Sequence, residues 1–331
     1  MGKSWFLTDR AHRLISFALV FIVLAGVVHA DGYRPWAGQF LRMGAGARAL
    51  AMGNAYSAVD GDIFSYYYNP AGLSSMTNRQ LAISFRYLAM DRYFKDIVFG
   101  TKIGPDASFA LSWINAGTND IMGRDLNGRP TGSLSDSRNS FAVTFSKQFH
   151  PRISAGINAK VSVWKLADED ARAVGLDAGV LVRPINGLTA SFVIRDLNSR
   201  FTWNSSYWEQ LMGSIDGQPL EKEDEIPLYY TAGVAYKMLQ DKLMVSSTLE
   251  FLEDNPLGIN LGTSYILSPR FTARAGVYNY TSSDEVDSKS LTAGFSVQVT
   301  GSVGFDYAFL SGGVDGNSVH CISLIMNYGA E

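Results

Sequence analysis

Residues 139–149, Asn-Ser-Phe-Ala-Val-Thr-Phe-Ser-Lys-Gln-Phe, put Phe141, Val143, Phe145 and Phe149 on one side of an extended chain. Ser140, Ala142, Thr144, Ser146 and Gln148 fall on the other side. That period of two is the mark of a strand with one apolar face, because successive side chains of a strand point to opposite faces. The pattern recurs in both directions along the chain. Leu188, Ala190, Phe192 and Ile194 alternate with Thr189, Ser191, Val193 and Arg195, and Leu291, Ala293, Phe295 and Val297 with Thr292, Gly294, Ser296 and Gln298. Fourteen such segments follow residue 80: 80–88, 96–103, 107–115, 139–149, 153–166, 173–183, 188–196, 228–238, 243–252, 257–267, 271–280, 290–299, 303–310 and 318–328. Many approach the roughly 9–11 residues of a tilted membrane-crossing strand, against an average of about 5–6 in soluble proteins.

The connections alternate in length as well. Tight turns at 104–106, 150–152, 184–187, 240–241, 268–270 and 300–302 take turns with longer polar links at 116–138, 167–172, 197–227, 281–289 and 311–317. Short turns at one end and long loops at the other characterise an outer-membrane barrel. The expected fold is all-β, a 14-stranded antiparallel transmembrane barrel. Its non-apolar face is rich in Ser, Thr, Gly and Ala, with Lys160, Asp177, Arg195, Glu250, Arg274 and Asp306 as candidate lumen charges. One bulge would reverse a strand's faces, so each of these placements depends on local register. Tyr87, Tyr93, Trp113, Trp164, Tyr229, Tyr230, Tyr236, Tyr278, Tyr280 and Tyr328 sit near strand ends and fit interfacial aromatic girdles.

The N-terminus supports export. Lys3, Arg10 and Arg13 precede the apolar run 14–28, and Val28-His29-Ala30 presents small residues where a signal peptidase reads. The run is shorter than the ~20 residues of a spanning helix, and no later segment reaches ~18. A membrane-embedded state must therefore be a closed barrel, the other structure that satisfies every backbone group in lipid. The expected organisation is a signal peptide at 1–30, an N-terminal periplasmic or plug segment at 31–79, and a barrel at 80–331. With 28 Lys and Arg against 31 Asp and Glu, the net charge of −3 gives no footprint for nucleic acid. A single Cys321 and four histidines, two of them in the first 30 residues, exclude a disulfide framework and make a His-built metal centre unsupported.

Residues 40–76, FLRMGAGARALAMGNAYSAVDGDIFSYYYNPAGLSSM, break the strand pattern. Gly44, Gly46, Gly53, Gly61 and Gly72 allow close backbone approach, and Asn69-Pro70 is restricted to extended geometry before a turn at Ala71-Gly72. A small-residue segment preceding a barrel can occupy its lumen as a plug. Nucleotide readings fail: there is no phosphate-loop motif, and Gly44-Ala45-Gly46 lacks both a preceding strand and the third glycine. Asp60 and Asp62 lack the acidic residue that would close a calcium loop.

Gly44-Ala45-Gly46-Ala47-Arg48-Ala49-Leu50, Met52-Gly53-Asn54-Ala55-Tyr56, Val59-Asp60-Gly61-Asp62 and Tyr68-Asn69-Pro70-Ala71-Gly72-Leu73 resemble the PorV/PorQ family of outer-membrane proteins. That family is similar to the FadL-type transporters of hydrophobic compounds, whose plug also carries an Asn-Pro-Ala element. His320-Cys321-Ile322-Ser323-Leu324 is similar to the family's last strand. The resemblance implies an outer-membrane location and no enzymatic activity. It leaves open delivery of exported proteins with type IX-like secretion subunits, or uptake of fatty acids and other hydrophobic molecules. A structural envelope barrel or adhesin is a third reading.

No cofactor is implied. A hydrolytic Ser318–His320 pair is disfavoured, since residues two apart on one face lie about 7 Å apart. Finally, 197–227 holds Phe201, Trp203, Tyr207, Trp208, Leu211 and Met212. Trp203, Tyr207 and Trp208 make it a candidate surface loop for a partner or greasy ligand, the alternative being a cap over the barrel.

Overall fold

The computed structural model describes residues 37–167, 169–204, 222–252, 258–281, 287–312 and 318–329. The signal-peptide reading, Tyr207, Trp208, Leu211 and Met212 lie outside the described residues. The strands in chain order are β1 (Arg79–Tyr87), β2 (Arg92–Lys102), β3 (Ala107–Arg124), β4 (Pro130–His150), β5 (Ile153–Leu166), β6 (Glu169–Ile185), β7 (Leu188–Leu197), β8 (Arg200–Asn204) and β9 (Lys222–Glu225). They continue as β10 (Tyr229–Met238), β11 (Leu243–Leu252), β12 (Gly258–Ser268), β13 (Phe271–Thr281), β14 (Asp287–Gln298), β15 (Val303–Leu310) and β16 (Val319–Tyr328). Every neighbouring pair is antiparallel. β1 pairs with β16, and the β5–β6 pairing closes the ring. β8 and β9 extend β7 and β10 past a bend, so the wall has the expected fourteen staves.

Alternation decides which way each side chain points. Phe141, Val143 and Phe145 are exposed on the outer face, while Ser140, Thr144 and Ser146 are buried inside. Exposed apolar side chains in this number, arranged around a closed sheet, are what a barrel wall in contact with lipid requires.

Three expected loops are shorter than the sequence indicated. Residues 116–138 form the upper halves of β3 and β4, which pair as far as Arg124 and Pro130 and leave a tip at 125–129. The 167–172 link shrinks because Leu166 already pairs with Glu169. Within 197–227, β8 pairs with β9 and stands on β6, the residues 205–221 between them lying outside the described ones. The first two carry polar residues on both faces, and β8 is only five residues long, which look like loop in a hydrophobicity pattern. A ladder above the apolar band needs no greasy face, only paired backbone.

Three expected girdle residues point inward instead. Trp164 packs against Phe201 and Trp203, with ring centroids 5.8 and 5.0 Å away. Tyr229 is buried beneath the Arg42 guanidinium. Tyr278 lies in register with the buried Ser290, on the lumen face. Strand-end position alone does not distinguish the faces.

Candidate functional site: the plugged lumen

Residues 37–76 fill the barrel. They comprise a 3-10 turn (Gln39–Arg42), helix α1 (Ala47–Ala51), helix α2 (Ser65–Tyr68) and a second 3-10 turn (Pro70–Ser75). Neither helix exceeds five residues, too short to be stable alone. Their order comes from the wall and from one internal network. Asn69 is extended, as its place before Pro70 dictates, and caps the second 3-10 turn by accepting the Ala71 N–H at 3.0 Å. Its amide donates to Ser57 O at 2.9 Å and to Val180 O of β6 at 3.3 Å. Tyr68 donates to Asn54 Oδ1 at 2.8 Å and accepts the Ala45 N–H, while Tyr67 accepts the Gly44 N–H and donates to Leu41 O. Burial raises the pKa of both phenols, so they remain neutral donors.

The wall meets the plug through glycines. A Cβ on Gly156 would lie 2.5 Å from Pro70 C, and one on Gly179 would lie 2.2 Å from Asn69 Oδ1. Gly262 and Gly276, paired in register on β12 and β13, both face Met52 at 2.4 Å. Gly44, Gly46 and Gly53 of the plug have positive φ, and Gly53 also abuts the Val277 backbone. The segment is thus seated backbone against backbone.

Charged anchors surround this socket. Arg48 bridges Asp62 at 2.6 Å and Asp306 of β15 at 2.8 Å. Asp60 takes Arg183 of β6 at 2.9 Å and Lys237 of β10 at 3.2 Å. Burial opposes ionisation of Asp60, but Lys237 and Arg183 hold its carboxyl below the usual range. Asp60 and Asp62 therefore face cationic side chains. Gly61 donates its N–H to Gly72 O at 2.9 Å and closes the turn that carries both.

All six candidate lumen charges face inward. Lys160 bridges Asp177 at 2.6 Å and Asp196 at 2.5 Å. Arg195 donates to Tyr68 O at 2.9 Å, Glu250 accepts from Asn260 at 2.7 Å, and Arg274 donates to Ser296. Two of the six contact the plug directly, Arg195 and Asp306.

Asp196 and Arg42 were not singled out by the sequence. Strict alternation would put Asp196 outside, next to the inward Arg195. A register shift between β6 and β7 turns both inward, with Asp196 at φ 60° and its N–H donated to Asp177 Oδ1 at 2.9 Å. Here β7 bends into β8. Opposite, β9 bends into β10 at Pro227, and Arg42 spans both bends, donating to Asp196 Oδ2 and Pro227 O at 2.9 and 2.8 Å. The one available signal was Asp196-Leu197-Asn198-Ser199, a turn-rich run directly after a strand.

Between the plug and the wall of β3–β7 lies a cavity lined by Leu41, Tyr66, Tyr67, Ile114, Lys160 and Arg195. Its volume of about 20 Å³ has room for roughly one water. Above it, Trp164 meets Phe201 edge to face and Trp203 at a tilt at the long-loop end, with Arg138 over the Trp164 ring at 4.5 Å. Phe201 is fully buried and Trp203 partly so, its indole donating to Asp224 at 2.7 Å. The described part of 197–227 therefore caps the barrel and does not present these rings to solvent. His320 lies on the outer face with Nδ1 2.7 Å from the Tyr307 hydroxyl.

No protein-family model matches the sequence, and no curated protein matches it. Solved structures share the fold. The Pseudomonas putida toluene transporter TodX aligns with TM-score 0.61 at 14% identity, over 86% of this chain and 97% of that one. The Ralstonia pickettii toluene transporter TbuX gives 0.61 at 13%, over 86% and 99%. A Pseudomonas aeruginosa FadL homologue gives 0.56 at 12%, over 83% and 96%.

Proposed function

We propose that this chain is a non-enzymatic outer-membrane barrel of FadL type that carries hydrophobic compounds across the outer membrane. The observation that carries the reading is the plug seated in the lumen. A plug whose backbone lies against wall glycines on β5, β6, β12 and β13 occupies the lumen, which does not suit an open diffusion pore for hydrophilic solutes. The shared fold with two toluene transporters supports the same direction. Delivery of exported proteins, implied by the PorV/PorQ resemblance, rests on the plug motifs alone and is the weaker reading.

The test is uptake in cells whose own hydrophobe transporter is deleted. The full-length chain in the outer membrane should increase entry of labelled toluene or long-chain fatty acid and leave entry of small sugars unchanged. Equal hydrophobe entry with and without the folded protein would refute the proposal. Co-purification of stoichiometric exported proteins instead would favour secretion.

A further inference from the structure

The outer face of β2–β6 carries a boundary one residue step wide. Across the ladder, the outward residues Ile97, Trp113, Phe141, Val161 and Val174 make an unbroken apolar row. The next outward row toward the long-loop end reads Lys95, Asn115, Asn139, Val163 and Arg172. The row above it contains Tyr93, Ser137 and Lys165, with Asp170 paired to Lys165 in register. At the opposite end of β4 the outward Lys147 lies 5.6 Å from the Phe149 ring centroid. From Asn139 to Lys147 a strand runs about 27 Å, or roughly 20 Å of membrane thickness after ~40° of tilt, close to the ~25 Å apolar band of such barrels. Lys95, Lys165 and Arg172 thus stand at the outer edge of the band.

The polar groups at this edge are ordered. Asn139 Oδ1 accepts from Trp113 Nε1 and Asn115 Nδ2, each at 3.0 Å, and its amide donates to Ser137 at 3.2 Å. The cations are less committed. Lys95 sits over the Tyr93 ring at 4.5 Å, which leaves its ammonium protons available. Arg172 reaches Asp170 only at 3.6 Å and its side chain is 77% exposed. Lys165 is exposed beside it. At ~4.8 Å between strands, Lys95 and Arg172 are about 19 Å apart along the row, with Lys165 in the interval on β5.

We propose that this rim binds the phosphate groups of phosphorylated glycolipid in the outer leaflet, the acyl chains lying on the apolar row beneath. The inference rests on the outer-membrane reading but not on the cargo. Charge complementarity supports it: three outward cations against the one carboxylate of Asp170 line this stretch of rim at the level where headgroup phosphates lie, directly above a face that takes hydrocarbon. Ring-bearing and amide side chains at the same level suit the sugar portion.

The test uses the full-length chain in mild detergent with three probes: a diphosphorylated glycolipid, the same glycolipid dephosphorylated, and phosphatidylethanolamine. Bound lipid is read by native mass spectrometry. Wild type should retain the diphosphorylated form preferentially and lose it on raising the salt. The K95Q/K165Q/R172Q variant should retain at least about tenfold less, from the usual contribution of surface cations. The K147Q variant, altered at the other rim, should behave as wild type. Single substitutions provide graded losses should the triple variant not fold. Equal retention of phosphorylated and dephosphorylated lipid, or retention unchanged in all the rim variants, would overturn the proposal. Toluene uptake is scored separately, so failure of one reading is visible without the other.

Discussion

Replacing Gly262 and Gly276 by alanine should dislodge the plug. Each new Cβ would sit 2.4 Å from Met52 backbone, on its O and C respectively. Ordinary contact needs about 3.5 Å, so the chain at Met52 and Gly53 must retreat by about 1 Å. Retreat is blocked, because Gly53 itself abuts Val277 and has φ 60°. Overpacking of this kind costs about 1–3 kcal/mol per site, and two sites sharing one neighbour add to somewhat less than the sum. Even about 2 kcal/mol shifts a seated–unseated equilibrium roughly thirtyfold toward unseated. The assay is single-channel conductance in planar bilayers, paired with tryptic cleavage at Arg42 and Arg48. Both should rise in Gly262→Ala/Gly276→Ala and stay low in Gly104→Ala, where a Cβ meets nothing within 4 Å. Unchanged conductance and cleavage in the folded double variant would refute the socket argument.

Asp60→Asn should loosen the same plug from its short-turn end, raising conductance and lowering stability by about 1–3 kcal/mol as Arg183 loses its carboxylate. Because folding lowers the Asp60 pKa, its contribution is present above the unfolded value near ~4 and is lost as pH falls through the folded value. Wild-type conductance should therefore rise below about pH 4, and less so in the variant. Lys160→Met should cost about 3–5 kcal/mol, since Asp177 and Asp196 would be left as buried charges near each other. Thermal unfolding in detergent reads that loss, and a variant as stable as wild type would show that Arg42 alone satisfies the pair.

The strand count and the outward faces were legible in the sequence because a barrel wall has one lipid face, which alternation such as Phe141, Val143 and Phe145 marks strand after strand. The plug was legible from composition, since Gly44, Gly46 and Gly53 among many alanines let its backbone pass close to the wall, as Gly53 does at Val277. The lengthened strands were not: between 116 and 138 no run of alternating apolar residues marks a face, yet Ala116 to Thr118 and Ile121 to Arg124 pair with β4. Trp164, Tyr229 and Tyr278 looked like girdle residues because position along a strand is readable and side is not, once a lumen is itself lined with aromatics. Asp196 needed the bulge between β6 and β7, a two-strand property that no single-strand pattern contains. The pairing of Arg48 with Asp306, 258 positions away, and of Arg42 with Asp196, 154 away, required the closed barrel. Local period and small-residue content are determined along one chain segment, and so the sequence alone determines them. Which charges meet, and which wall glycines the plug lies against, depends on barrel closure bringing distant strands around the plug.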